Sequence, residues 1–279
     1  MTRRYVSPLR YPGGKATMAP WLGEMFAAQV GYMDIEVWLE PFAGGAGAAL
    51  TLLDRDAVDE VWLVDANRGI ADFWSVVFDD GDALAAQVEA TTPTRDLYET
   101  SRALLAEPDG VDQFALGHAA FIVNRCSRSG IISHTSGAMT DLEARFNAPE
   151  LADRIRHVAS FAPRVRVTHG DGISCIEELN GSVGVEDEMV IFADPPYLRE
   201  GNRLYSAGLS PAGHQRLADA LHQTPARWLL TYDDEPAVSH ELYPQHRVVA
   251  YDIRNNANRA RQAREFAVLS DNLAVGDIT

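Results

Sequence analysis

Val37-Trp38-Leu39-Glu40-Pro41-Phe42-Ala43-Gly44-Gly45-Ala46-Gly47 reads as a short apolar strand that runs through a proline and a glycine cluster into a helix beginning near Ala48-Ala49-Leu50. Strand, glycine-rich turn and helix in that order open an α/β layer structure and place a ligand at the helix N-terminus. The glycines allow that ligand to approach the backbone closely. The turn lacks a Lys-Ser/Thr pair, so it is not a phosphate loop of the Walker type. Val61-Trp62-Leu63-Val64-Asp65 reads as the next strand and delivers a carboxylate 21 residues after Gly44. A carboxylate at that distance suits ribose hydroxyls. On these two elements alone NAD, FAD and S-adenosylmethionine all remain open.

Working outward, the same strand-like pattern returns at Val165–Thr168, Met189–Ala193, Arg227–Tyr232, Arg247–Tyr251 and Glu265–Ser270, with a helix predicted near Pro211–Leu221. Strands alternating with helices predict an α/β fold whose mostly parallel sheet is wrapped on both faces. From about Ile70 to Ala162 the apolar spacing becomes three and four, broken at Pro93, Pro108-Asp109-Gly110 and Gly130. That helical block is too long for a crossover. It predicts a helical insert over residues 75–163 in a discontinuous catalytic domain made of residues 1–74 and 164–279.

A chain of 279 residues buries a full core. No run reaches the length of a bilayer span, and the basic N-terminus Met1-Thr2-Arg3-Arg4-Tyr5 lacks the apolar stretch of a signal peptide. Cys126 and Cys175 form neither a disulfide framework nor a metal-ligand pattern. A cytoplasmic protein without membrane or metal partners is expected, and a monomer in solution. The net charge of −16 argues at first against a polyanionic partner. Its distribution points the other way. Residues 1–23, 113–140, 201–218 and 254–264 hold no carboxylate and carry Arg10, Lys15, Arg125, Arg128, Arg203, Arg216, Arg254, Arg259, Arg261 and Arg264. Basic windows in an acidic chain predict one surface kept clear for an anion. Lys15 is the one lysine among 24 basic residues, and a compact ammonium is not interchangeable with a guanidinium.

Asp194-Pro195-Pro196-Tyr197 follows the apolar strand Met189–Ala193. Two prolines cannot donate backbone hydrogen bonds, so the strand stops there and its last carbonyls stay available as acceptors. A carboxylate, a carbonyl and an aromatic face within four residues suit a flat ligand bearing an amino group, such as adenine or cytosine. Arg10-Tyr11-Pro12-Gly13-Gly14-Lys15 adds a turn ending in an ammonium, suited to a carboxylate or a phosphate.

Together these elements resemble the DNA adenine methylase (Dam) family, the D12 class of adenine-N6 methyltransferases. The resemblance runs over nearly the whole chain, through Tyr11–Lys15, Glu40–Gly47, Asp65-Ala66-Asn67, Asn124-Arg125, Asp194–Tyr197, Tyr232-Asp233-Asp234 and the Arg254…Glu265 tail. It implies a Rossmann-like S-adenosylmethionine-dependent methyltransferase sheet and makes the insert a target-recognition domain. It implies cofactor contacts at Tyr11, Gly13, Lys15, Glu40, Phe42, Gly44, Gly47, Asp65, Asp171 and Asp194. Asp194 and the Pro195 carbonyl would accept hydrogen bonds from the target amino group, and Tyr197 would stack on a flipped base. Asn124, Arg125, Arg128, Arg254, Arg259 and Arg261 would contact double-stranded DNA.

The segment Asn124–Gly130 keeps the family's Asn-Arg start but departs from its best-known reading segment, which leaves the target sequence open. Site-specific DNA adenine methylation is the expected activity, in a restriction-modification, phage or housekeeping setting. An rRNA adenine methyltransferase is the nearest rival. Small ones have no large insert, whereas about 147 residues separate Gly47 from Asp194 here. A catalytically silent DNA-binding subunit would not need every catalytic position intact, and a NAD-dependent dehydrogenase leaves Lys15 and the two prolines unexplained.

Overall fold

The computed structural model describes residues 6–11, 15, 18–30, 36–182, 188–199, 208–255 and 261–274. Seven strands form one sheet: β1 (Val37–Glu40), β2 (Glu60–Asp65), β3 (Val165–His169), β4 (Met189–Ala193), β5 (Arg227–Asp233), β6 (Arg247–Asn255) and β7 (Arg261–Leu269). Every stretch expected to be a strand is one. Their order is β3-β2-β1-β4-β5-β7-β6. The first five positions pair in parallel, and β7 runs antiparallel between β5 and β6. Strand order therefore reverses between β1 and β4, the place where a doubly wound sheet opens a crevice at its carboxyl edge.

The helices are α1 (Ala19–Val30), α2 (Gly47–Asp54), α3 (Arg68–Glu89), α4 (Arg95–Ala106), α5 (Gln113–Cys126), α6 (Ala148–Ala159), α7 (Gly172–Leu179) and α8 (Pro211–Gln223). Local chemistry starts several of them. Asn67, Thr94, Asp112, Asp171 and Ser210 each accept a hydrogen bond from an N–H in the first turn of the helix that follows. The predicted helical block is present as α3 to α6. Its expected start at residue 75 falls within α3, whose backbone is non-helical at Asp80.

Alternation along the central strands divides the core in two. Trp38, Val190, Phe192 and Leu229 face a cluster built with α1 to α6, while Val37, Leu39, Ile191, Ala193, Leu230 and Tyr232 face one built with α7 and α8. Both faces of the central sheet are thereby covered. No helix among the described residues is long and apolar enough to cross a membrane.

Trp38 and Phe192 stack across the β1–β4 pair with centroids 5.3 Å apart, directly beneath the crevice. Replacing Phe192 by Ala removes this ring from a site 2 % exposed. The expected loss is about 3–5 kcal/mol of unfolding free energy, measured by urea titration. A loss below about 1 kcal/mol would mean that the strand pair does not depend on this contact.

Candidate active site

The glycine turn is pinned from several sides. The Gly44 amide donates to Asp65 Oδ2 at 2.8 Å, and its carbonyl accepts from the indole of Trp74 at 2.9 Å. Ser7 Oγ donates to the Gly45 carbonyl at 2.7 Å. Gly44 has φ +47°, and a Cβ there would lie 2.8 Å from the Tyr11 ring. A Cβ on Gly45 would lie 2.7 Å from Tyr11 Cβ, so Tyr11 sits directly on the turn. Ala46 also holds a left-handed backbone at φ +47° and starts α2. A non-glycine residue in that region stores strain, which concentrates at functional sites.

Carboxylates stand at the ends of three neighbouring strands. Glu40 closes β1 and is buried, with Oε1 accepting from Trp38 Nε1 at 3.0 Å and from the Ala49 amide at 2.8 Å. Burial pushes its pKa up to about 7. Asp65 closes β2, and its second oxygen accepts from the Asn67 amide at 2.8 Å. Burial raises its pKa to about 6. Asp194 follows β4. Its Oδ1 accepts from Lys15 Nζ at 2.8 Å, from Thr231 Oγ1 at 2.6 Å and from the Tyr197 hydroxyl at 3.1 Å. Lys15 also reaches Oδ2 at 2.9 Å and the Tyr197 oxygen at 2.8 Å. Burial alone would lower the Lys15 pKa, but Asp194 and Glu265 outweigh it and raise the value. Asp233, at the end of β5, holds the chain beyond the motif by accepting from the Leu198 and Arg199 amides at 3.2 and 2.9 Å.

Segments remote in sequence thus meet at one edge: Tyr11 on Gly44 and Gly45, Asp65 on Gly44, and Lys15 on Asp194 and Tyr197. Phe42 follows the end of β1 partly buried, Gly47 begins α2, and Pro195 is buried. Asp171 sits at the end of β3, where its side chain caps α7 at Ile173 and accepts from Arg216 Nη1 at 2.6 Å. Gly13 lies outside the described residues.

The residues expected at DNA separate into different environments. Asn124 is fully buried. Its oxygen accepts from the Arg10 amide at 2.9 Å, and its nitrogen donates to the Arg10 and Gly130 carbonyls at 2.7 and 2.5 Å. Arg125 donates to the Arg145 and Pro8 carbonyls and, with Arg10 and Arg145, lines a cleft of about 350 Å³ that Glu143 and Glu150 share. Burial together with neighbouring arginines lowers the pKa of Arg10 and of Arg125 to about 10. Arg128 is exposed on a loop closed by the Ser127–Ala138 bridge. Arg259 and the side chains of Arg254 and Arg261 lie outside what the structure describes.

Thr231, Tyr251, Trp74 and Ser7 complete the site, although their sequence context does not single them out for it, together with Glu265, which ends the Arg254…Glu265 stretch of the resemblance but carries no role there. A polar residue inside an otherwise apolar strand is the available signal for Thr231 and Glu265.

The crevice fits an adenosine-bearing cofactor. Its glycine turn stands at a helix N-terminus with Tyr11 lying on it, and the Asp65 carboxylate beside it is oriented by two backbone amides. Among known proteins, the family described as D12 class N6 adenine-specific DNA methyltransferase matches residues 11–250. The Type II methyltransferase M.MjaIII of Methanocaldococcus jannaschii is 21% identical over 207 residues, covering 68% of each chain. Among solved structures, the rRNA methyltransferase aviRa from Streptomyces viridochromogenes aligns with a TM-score of 0.44 and 15% identity, over 93% of this chain and 85% of that one.

The raised pKa of Glu40 has a definite sign. The folded protein holds a proton on Glu40 that the unfolded chain releases near pH 4.5, so stability falls as pH rises from there through about 7. Urea unfolding at about pH 5 and about pH 8 should differ by on the order of 3 kcal/mol from this group. The Glu40→Gln variant keeps an acceptor for Trp38 and Ala49 and cannot ionise, so its dependence should be flatter. An unchanged slope would show that Glu40 is ionised throughout.

Proposed function

The chain belongs to the D12 class of N6 adenine-specific DNA methyltransferases, and from that premise we propose a role for each group at the crevice. The carrying observation is Asp194, held by Lys15, Thr231 and Tyr197 at the carboxyl end of β4, beside the glycine turn at the strand-order reversal. S-adenosylmethionine supplies an electrophilic methyl group. Gly44 to Gly47 would lie beneath it, Asp65 would receive its ribose hydroxyls, and Tyr11, Lys15 and Glu40 would line its amino-acid end. Phe42 borders the same cleft, and Asp171 closes the rim at β3.

Adenine's amino lone pair is delocalised into the ring and is a poor nucleophile. Asp194 and the Pro195 carbonyl accept from the two N–H bonds, which favours a pyramidal nitrogen with its lone pair aimed at the methyl carbon. Transfer would form a C–N bond as the sulfonium C–S bond breaks, leaving the neutral thioether S-adenosylhomocysteine, and the amino nitrogen would pass its extra proton through the Asp194 carboxylate to solvent. Rate comes from orientation and from a carboxylate facing the developing positive charge. Tyr197 stacks on the base, which has left the duplex to reach this depth.

Residues 75–163 act as the target-recognition part. Arg128 is exposed there, and Arg10, Arg125 and Arg145 present guanidinium groups suited to phosphates. Asn124 we assign to strapping the recognition loop onto the Arg10 segment, because its amide is consumed inside the protein. Arg254, Arg259 and Arg261 add phosphate contacts. The enzyme works in the cytoplasm as a monomer, and the Type II relative favours a restriction-modification setting.

Tritiated S-adenosylmethionine with separate DNA and rRNA substrates tests this reading. Label should enter DNA as N6-methyladenine. Asp194→Asn, which keeps an acceptor oxygen for Thr231 and leaves Glu265 facing Lys15, should lower incorporation by at least about 100-fold, while a cooperative urea transition with a lowered midpoint and measurable cofactor binding are retained. Label confined to rRNA would overturn the assignment.

A further inference from the structure

Glu265 is a charged residue 5 % exposed in the interior of β7. Its register partners are Asp233 on β5 and Tyr251 on β6. The Tyr251 hydroxyl donates to Glu265 Oε2 at 2.6 Å. The same oxygen lies 3.7 Å from Lys15 Nζ, which is bound to both oxygens of Asp194. One buried and one partly buried carboxylate therefore face one buried ammonium.

That arrangement presents a chemical conflict. An ammonium chelated by Asp194 occupies the acceptor positions that a target amino group needs. Releasing Lys15 without another partner would leave a buried charge uncompensated, which is strongly unfavourable. Glu265 removes the conflict. A movement of less than about one ångström brings Nζ from ion-pair contact into hydrogen-bond range of Oε2. Drawing the ammonium off Asp194 also strengthens that carboxylate's attraction for positive charge developing on the amino nitrogen.

We propose that Glu265 is a positioning residue for methyl transfer: it takes over the Lys15 ammonium as the base enters, freeing Asp194 to accept from the amino group. Glu265 acts through Lys15 and does not touch the base. The inference rests on the preceding assignment of Asp194 as the amino-group acceptor. Tyr251 holds the receiving oxygen in place.

The test is a single-turnover measurement on the full chain, with tritiated S-adenosylmethionine and duplex DNA carrying the target site, first located by sequencing methylated DNA from expressing cells. Glu265→Gln preserves volume and removes charge, and its transfer rate should fall about 10- to 100-fold with KM for the cofactor nearly unchanged. Glu265→Asp keeps charge and loses one methylene, and it should be the faster of the two variants. A packing role predicts the opposite order, because Gln fills the same space. Equal or faster transfer by the Gln variant overturns the hand-over, and so does loss of cooperative unfolding in both variants.

Because Lys15 is the one lysine in the chain, ¹³C,¹⁵N-lysine labelling yields a single side-chain NMR signal. That signal should shift when target duplex is added to the wild-type complex with S-adenosylhomocysteine, and should stay in place when duplex is added to the same complex of Glu265→Gln. Equal shifts in both proteins refute the exchange. Wild type that labels no DNA refutes the parent assignment, whereas active wild type beside an equally active Glu265→Gln variant refutes the hand-over alone.

Discussion

A single buried ammonium shared by two carboxylates is the constraint on which the site depends. Lys15 comes from the first segment of the chain, Asp194 from the end of β4 and Glu265 from β7. Each charge would be costly to bury alone, and the two carboxylates would repel without the lysine. Burial raises the Glu265 pKa and Asp194 adds to the rise, while Lys15 opposes both. The ion cluster therefore specifies how three remote segments meet. Hydroxyls from Thr231, Tyr197 and Tyr251 occupy the remaining lone pairs, so the cluster is hydrogen-bonded as well as charge-paired.

The sheet sets where this cluster stands. With β1 and β4 adjacent and their following connections going to opposite sides, the two strand ends open a crevice between Glu40 and Asp194. Its floor is held from outside the sheet by Tyr11, Ser7 and Trp74. Trp74 belongs to α3 and is buried in the same apolar cluster as α5 and α6. The helical block is thus bonded to the glycine turn through one indole as well as through packing.

All seven strands were legible because buried parallel strands are short apolar runs bounded by turn residues, and these runs are well separated in this chain. The glycine turn, Asp65, Lys15 and Asp194 were legible because their residue types are chemically specific. What one dimension hides is pairing. Thr231 and Glu265 lie in stretches that read as core strands, and only the β4-β5-β7 order turns them toward Asp194. The partners of Asn124 are hidden in the same way: the family resemblance places it at DNA, and the Arg10 backbone and Gly130, to which its amide bonds, lie in loops whose approach no periodicity announces.

That hidden pairing also bears on how recognition reaches chemistry. Asn124 binds both backbone groups of Arg10, and Tyr11, the next residue, lies on Gly44 and Gly45. On its other side Asn124 binds Gly130, in the loop that carries the exposed Arg128. Arg125 continues the strap to the Pro8 and Arg145 carbonyls. The loop that carries Arg128 and the glycine turn are therefore linked through a short stretch of the N-terminal segment. Coupling in proteins requires a contiguous physical element that both sites bias. Here the described part of such an element is Pro8 to Tyr11, bonded to Arg125 and Asn124 on one side and lying on Gly44 and Gly45 on the other.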